Sequence, residues 1–248
     1  MAPLVQAAAK IADAGLGRYA VIGGVAVSAR LGQAHRATAD IDAVVDDATP
    51  PPAVETLLEL PQAEADPTGP HRVLIDGIKV EIQGTEPFES SDLDGLTDKQ
   101  ILYVGSHRYA LDSATPVTLV AEDGGAQATV QIATPGAIVA MKLHAIEDRR
   151  PSGGMDKRAG DAWDIYRILL DLDRDGIVRR ELAALPQPLR QVVAAAGTRI
   201  LIDRAARTVS WLKAGDERMA RVTVEDLRSL AVPVLAALDE AGDDSSDR

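Results

Sequence analysis

The sequence contains no cysteine, which excludes a disulfide framework, a cysteine-ligated zinc site and a cysteine nucleophile. Aromatic residues make up only 3% of it, with Phe88 the one phenylalanine, so an extended platform for stacking bases is not available. Positive charge is also short. Against 38 Asp and Glu there are 26 Lys and Arg, a formal net charge of -12. That balance argues against broad, non-specific nucleic-acid binding, because phosphate contacts supply most of that affinity; a local basic patch stays open. No apolar run approaches the roughly 20 residues needed to cross a bilayer. The start, MAPLVQAAAKIADAGLG, carries a lysine inside an amphipathic segment rather than a basic stretch followed by an apolar core. A cytoplasmic protein with no membrane partner is expected. Hydrophobic residues, 46% of 248, suffice for the core of one large domain or two modest ones.

The most informative stretch is YAVIGGVAVSARLGQAHRATADIDAVVD, Tyr19 to Asp46. Tyr19 to Ile22 reads as a short strand, and Gly23-Gly24 lets the backbone turn tightly and present its N–H groups. A helix opening at that turn favours an anion. A basic loop with His35, Arg36 and Thr38 follows, and Asp40-Ile41-Asp42 opens a β-branched run suited to a strand. Residues two apart on a strand share a face, about 6–7 Å apart at the backbone. Carboxylates that close repel unless a cation lies between them. A phosphate cradle followed by paired carboxylates suits a nucleoside triphosphate held through Mg²⁺ or Mn²⁺, since such ions take carboxylate and phosphate oxygens. Taken separately, a Gly-Gly turn and an Asp-x-Asp strand end are common without any such role.

The pattern hydrophobic-Gly-Gly-x-Ala followed by Arg-x-Thr-x-Asp-Ile-Asp resembles the DNA polymerase β-like nucleotidyltransferases, and most closely the AbiEii-like and related MenT toxins. The resemblance implies an α+β fold, with a mixed sheet and flanking helices followed by a mainly helical C-terminal region. It implies NMP transfer from an NTP, with known members acting on tRNA, and an antitoxin as partner. Asp40 and Asp42 would be the metal ligands, and Gly23, Gly24, Arg36 and Thr38 would bind the nucleotide. Many relatives place serine after the first glycine; here the position is Gly24, so phosphate binding would rest on backbone N–H groups.

Before this stretch, Leu4 to Ala14 reads as a helix expected to cover the first strand. After it, Thr49-Pro50-Pro51-Pro52 leads into a helix through Val54, Leu57 and Leu58, and Pro61 to Pro70 reads as a loop. RVLIDGIKVEIQ, Arg72 to Gln83, reads as a hairpin turning at Asp76-Gly77. Glu81 on its second strand is either a solvated residue of a half-buried strand or, by the resemblance, a third metal-site carboxylate. Ile101 to Val104, Tyr109 to Asp112, Val117 to Ala121 and Ala128 to Ile132 are expected strands, the last two joined around Asp123-Gly124-Gly125. Residues 1–132 would form the nucleotidyltransferase core and 133–241 a helical subdomain. Residues 242–248 are a polar tail expected to be disordered.

Thr134-Pro135 is a good helix start. On that helix Lys142 falls in the apolar arc between Ile138 and Ile146, a costly place unless its ammonium escapes or meets an anion. A second helix, with Asp156 as its expected cap, places Asp161 in the stripe of Ile165, Ile168, Leu169 and Leu172. A Lys142–Asp161 or Lys157–Asp161 ion pair that only holds the helices is one reading. MKLHAIEDRR followed by KRAGDAWDIYRIL is similar to the AbiEii-like pattern, in which the lysine and first aspartate, matching Lys142 and Asp161, are active-site residues. Asp164 matches the second aspartate, a more structural position. Arg149, Arg150, Lys157 and Arg158 would be the basic patch for triphosphate or acceptor. Gly176 to Glu240 reads as helices, with a possible break at Gly197. Other acceptors on the same core are an aminoglycoside-type molecule or a protein side chain, and a non-catalytic nucleotide-binding module is a third reading.

Overall fold

The computed structural model describes residues 2–33, 38–46, 52–149 and 155–243. Arg36 and Arg150, the proline run before residue 52 and the last residues of the expected tail lie outside the described residues. The chain divides into two compact units: Met1–Pro87 with His107–Thr134, and Phe88–Ser106 with Pro135–Arg248.

The first unit carries a seven-stranded mixed sheet in the order β3-β4-β5-β2-β1-β7-β6. Its elements are α1 (Ala2–Asp13), β1 (Tyr19–Ile22), α2 (Gly23–Leu31), β2 (Asp40–Asp46), α3 (Ala53–Leu58), β3 (Ala63–Ala65), β4 (Arg72–Ile75), β5 (Ile78–Thr85), β6 (Thr115–Val120) and β7 (Gln127–Ile132). The β1–β2 pair is antiparallel, whereas β2–β5 and β1–β7 are parallel. Ile41, Ala43 and Val45 on one face of β2 are at most 2% exposed, and Tyr19 to Ile22 are buried throughout. The hairpin turns where Asp76-Gly77 predicts, with φ of 51° and 77°, the left-handed pair that a type I′ turn requires. The expected loop from Pro61 to Pro70 contains the edge strand β3, whose three residues pair with β4. Helix α1 packs chiefly against β7 rather than over β1. Its amphipathic spacing stands, but its target was not readable from local sequence.

The helix α4 (Asp98–Asp112) replaces the two strands expected at Ile101–Val104 and Tyr109–Asp112. The run Ile-Leu-Tyr-Val favours a strand by composition, but its burial is helical: Leu102, Ser106 and Ala110, spaced by four, are at most 1% exposed. Thr97 and Gln100 form a capping box, with the Gln100 N–H donating to Thr97 Oγ1 and the Thr97 N–H to Gln100 Oε1. That signal was in the sequence.

The second unit is helical: α5 (Pro135–Asp148), α6 (Met155–Leu172), α7 (Ile177–Ala183), α8 (Gln187–Gly197), α9 (Ala205–Gly215) and α10 (Val224–Asp243). A π-helical turn, Thr198–Asp203, separates α8 from α9, directly after the glycine where a break is expected. The segment Phe88–Ser106 belongs to this unit and not to the sheet core. Lys99 pairs with Asp148, the Tyr103 and His144 rings lie 5.1 Å apart, and Gly105 lies against Leu189. The N-terminus of α5 is capped from a distance, its Gly136 N–H donating to Glu181 Oε2 at 2.6 Å. Asp156 falls inside α6, which already begins at Met155, so it is not the residue before the helix. Among the described residues no helix is long and apolar enough to cross a membrane.

Candidate active site

In the first unit the chain turns from β1 into α2 at Gly23, whose φ is +68°. A Cβ there would lie 2.1 Å from Asp42 Oδ2, so the Asp42 carboxylate occupies the space a side chain would need. The contact follows from register, because Ile22 pairs with Asp42 across β1 and β2. On the other edge of β2, Asp40 pairs with Lys79 and Asp42 with Glu81, and Glu81 is also opposite Arg72 of β4. Register partners share a face, so Asp40, Asp42, Glu81, Lys79 and Arg72 stand on one side of the sheet.

Two of these carboxylates are bound to cations. Lys79 Nζ lies 2.9 Å from Asp40 Oδ2, and Arg72 Nε donates to Glu81 Oε2 at 2.9 Å. Asp40 holds the Lys79 ammonium above the usual lysine pKa, and Glu81 does the same for the Arg72 guanidinium, with Asp42 adding to it. Among the described residues, no three His, Asp or Glu side chains are gathered as a metal cage. The donor type nonetheless fits a hard divalent ion: carboxylate oxygens on one face of the sheet, beside a glycine turn.

Thr38 precedes Asp40 by two residues. It lines a cavity of about 540 Å³ with Ser28, Gln33, Thr118 and Val120, and none of Gly23, Gly24, Asp40 or Asp42 contributes to that wall. Its Oγ1 is buried without a hydrogen-bond partner among the described residues.

In the second unit Lys142 is 8% exposed and meets two acids of α6. Its Nζ lies 2.8 Å from Asp161 Oδ1 and 2.8 Å from Asp164 Oδ2, with Asp161 and Asp164 3% and 0% exposed. Arg149 Nε donates to the other oxygen of Asp161 at 2.8 Å. The apolar arc of α5 brings the lysine inside, and the spacing of three on α6 turns both aspartates to it. Among the described residues two carboxylates meet two cations here, which is what burial of such groups demands. Lys157 is exposed, and Asp161 is held instead by Lys142 and Arg149.

The expected basic patch is not one surface. Arg158 is 9% exposed, with its guanidinium 5.8 Å from the centre of the Trp211 ring, which Arg207 flanks at 5.3 Å. Neighbouring helical positions differ by about 100°, so Lys157 faces outward while Arg158 faces α9.

Nearly the whole chain, residues 11–235, matches the family described as nucleotidyl transferase AbiEii toxin, type IV TA system. The chain belongs to the AbiEii toxin family. It is thus a nucleotidyltransferase, as the Gly-Gly and Asp-Ile-Asp motifs lead one to expect. No curated protein matches it. Solved structures similar to this AbiEii chain include ANT(2")-Ia in complex with adenylyl-2"-tobramycin, at 15% identity and a TM-score of 0.44, over 80% of this chain and 99% of that one. Another is an antigenic nucleotidyltransferase-like protein from Paracoccidioides brasiliensis, at 23% identity and a TM-score of 0.48, over 85% of this chain and 92% of that one. Three charged residues of this AbiEii chain were not singled out as site residues from its sequence: Arg72, Lys79 and Asp164. The alternation of the hairpin strands already put Lys79 on the side of Glu81, and the Asp-x-x-Asp spacing put Asp164 beside Asp161.

Proposed function

We propose that the chain transfers NMP from an NTP to an acceptor hydroxyl, the 3′ end of tRNA, as the toxin of a toxin–antitoxin pair. The observation that carries this reading is the Asp42 carboxylate set against the Gly23 turn, with Glu81 in register beside it. That arrangement presents backbone N–H groups and carboxylates to one polyphosphate. Asp40 and Asp42, with Glu81 as a third ligand, would hold Mg²⁺ or Mn²⁺. When bound, the ion offsets charge on the triphosphate and orients the reacting phosphate.

The acceptor oxygen attacks the α-phosphorus in line, the bond to the bridging oxygen breaks, pyrophosphate leaves with that electron pair, and the hydroxyl proton passes to solvent water. Gly23 and Gly24 present N–H groups to the phosphates. Lys142 serves as a charge-neutralising group. Both oxygens of Asp161 already accept from cations, which supports a positioning role, shared with Asp164.

Incubation with total tRNA, Mg²⁺ and each labelled NTP in turn tests the reading. Labelled RNA is expected, and Asp42→Asn should lower its formation at least about a hundredfold with an unchanged circular dichroism spectrum. Label appearing only on an aminoglycoside or on protein would replace the tRNA acceptor. Undiminished transfer by Asp42→Asn would remove that residue from the site.

A further inference from the structure

The face that carries Asp40, Asp42 and Glu81 also carries two cations, and each is bound to one of those acids. Lys79 is 35% and Asp40 40% exposed in their pair, Arg72 33% and Glu81 26% in theirs. These are partly solvated contacts, of the kind that exchange readily and contribute little to stability. Among the described residues, three acids and two cations stand on this face. A divalent ion approaching Asp40 and Glu81 therefore meets carboxylates that already have partners. Arg72 has a second anchor, since its Nη1 lies 3.3 Å from Thr68 Oγ1, and Asp66 fixes that hydroxyl at 2.7 Å. Lys79, on a flexible four-carbon stem, can swing from Asp40 without moving its strand.

We propose that Lys79 and Arg72 are internal counter-cations of the acid row, which neutralise Asp40 and Glu81 in the metal-free chain and are displaced when a divalent ion takes those carboxylates. The inference rests on the nucleotidyltransferase reading of the strand acids and goes beyond it, by assigning two basic residues a competitive role against the metal. Binding of the ion is weakened by whatever holds the two pairs together. A triphosphate arriving with the ion offers the released ammonium and guanidinium new anionic oxygens.

Calorimetric titration of the full chain with Mn²⁺ alone, without nucleotide, tests this, with thermal melts to show that each variant is folded. Lys79→Met and Arg72→Met should each tighten Mn²⁺ binding about two- to fivefold, while Lys79→Arg keeps the affinity of the unaltered chain. Lys10→Met removes the same charge from the pair with Asp76, away from the acid row, and should leave the affinity unchanged. Equal tightening by Lys10→Met would show a net-charge effect and overturn the inference. Loss of Mn²⁺ binding in Asp42→Asn, together with unchanged or weaker binding in Lys79→Met and Arg72→Met, overturns it while leaving the metal site intact. Undiminished Mn²⁺ binding in Asp42→Asn would sink the metal-site reading, and the counter-cations with it.

Discussion

Asp40 of β2 and the Asp161 and Asp164 carboxylates of α6 are all paired with cations, yet their surroundings differ. Asp40 and its Lys79 are more than a third exposed, whereas Asp161 and Asp164 enclose Lys142 with 3%, 0% and 8% exposure. Water competes for the first pair and hardly reaches the second. An ion pair in water is worth little and can trade partners; a buried one is hard to open, because each freed charge would face the low-dielectric interior alone. One sequence thus contains an exchangeable set of charges and a fixed one, and the difference lies in burial rather than in residue type.

The comparison can be broken most forcefully in the second unit. Lys142→Met should cost about 3–5 kcal/mol, since it removes the ammonium that buried Asp161 and Asp164 share. Urea unfolding measures this, and a loss under about 1 kcal/mol would mean the cluster is not fixed. A smaller effect is expected at the glycine turn. Gly23→Ala puts a Cβ 2.1 Å from Asp42 Oδ2 at a φ of +68°, so about 1–2 kcal/mol should be lost to backbone conformation. Transfer activity should fall with it, because Asp42 must move. Activity equal to that of the unaltered chain would mean that the position of the Asp42 carboxylate does not matter. The smallest effect belongs to the exposed pair, where Lys79→Met should change stability by less than about 1 kcal/mol. A fall as large as that of Lys142→Met would erase the distinction between the two sets.

Local signals were read correctly where the physics is local. Gly23-Gly24, the Asp76-Gly77 turn, the Asp-Ile-Asp strand and the helix after Thr134 each follow from their own few residues. Lys142 was also legible, because a charge in an apolar arc has to be answered by a partner. What was missed depends on pairing across distance. The register that sets Glu81 beside Asp42, and Arg72 beside Glu81, is a property of three strands together. Arg158 stands beside Lys157 in sequence, but the turn of the helix sets it against Trp211. In α4 a β-favouring run outweighed the Thr97–Gln100 box, although burial of the face through Leu102, Ser106 and Ala110 decided for a helix.

Because the helical unit is assembled from Phe88–Ser106 as well as from the residues after Thr134, no single cut yields two self-sufficient pieces. A fragment ending at Thr134 would keep the sheet but carry Gly105 and its neighbours as an orphaned ridge, while the complementary fragment would lose the surface that covers Leu189. Nascent chains face the same arithmetic in time, since the ridge is made early and must wait for the second half of the polypeptide before it is covered.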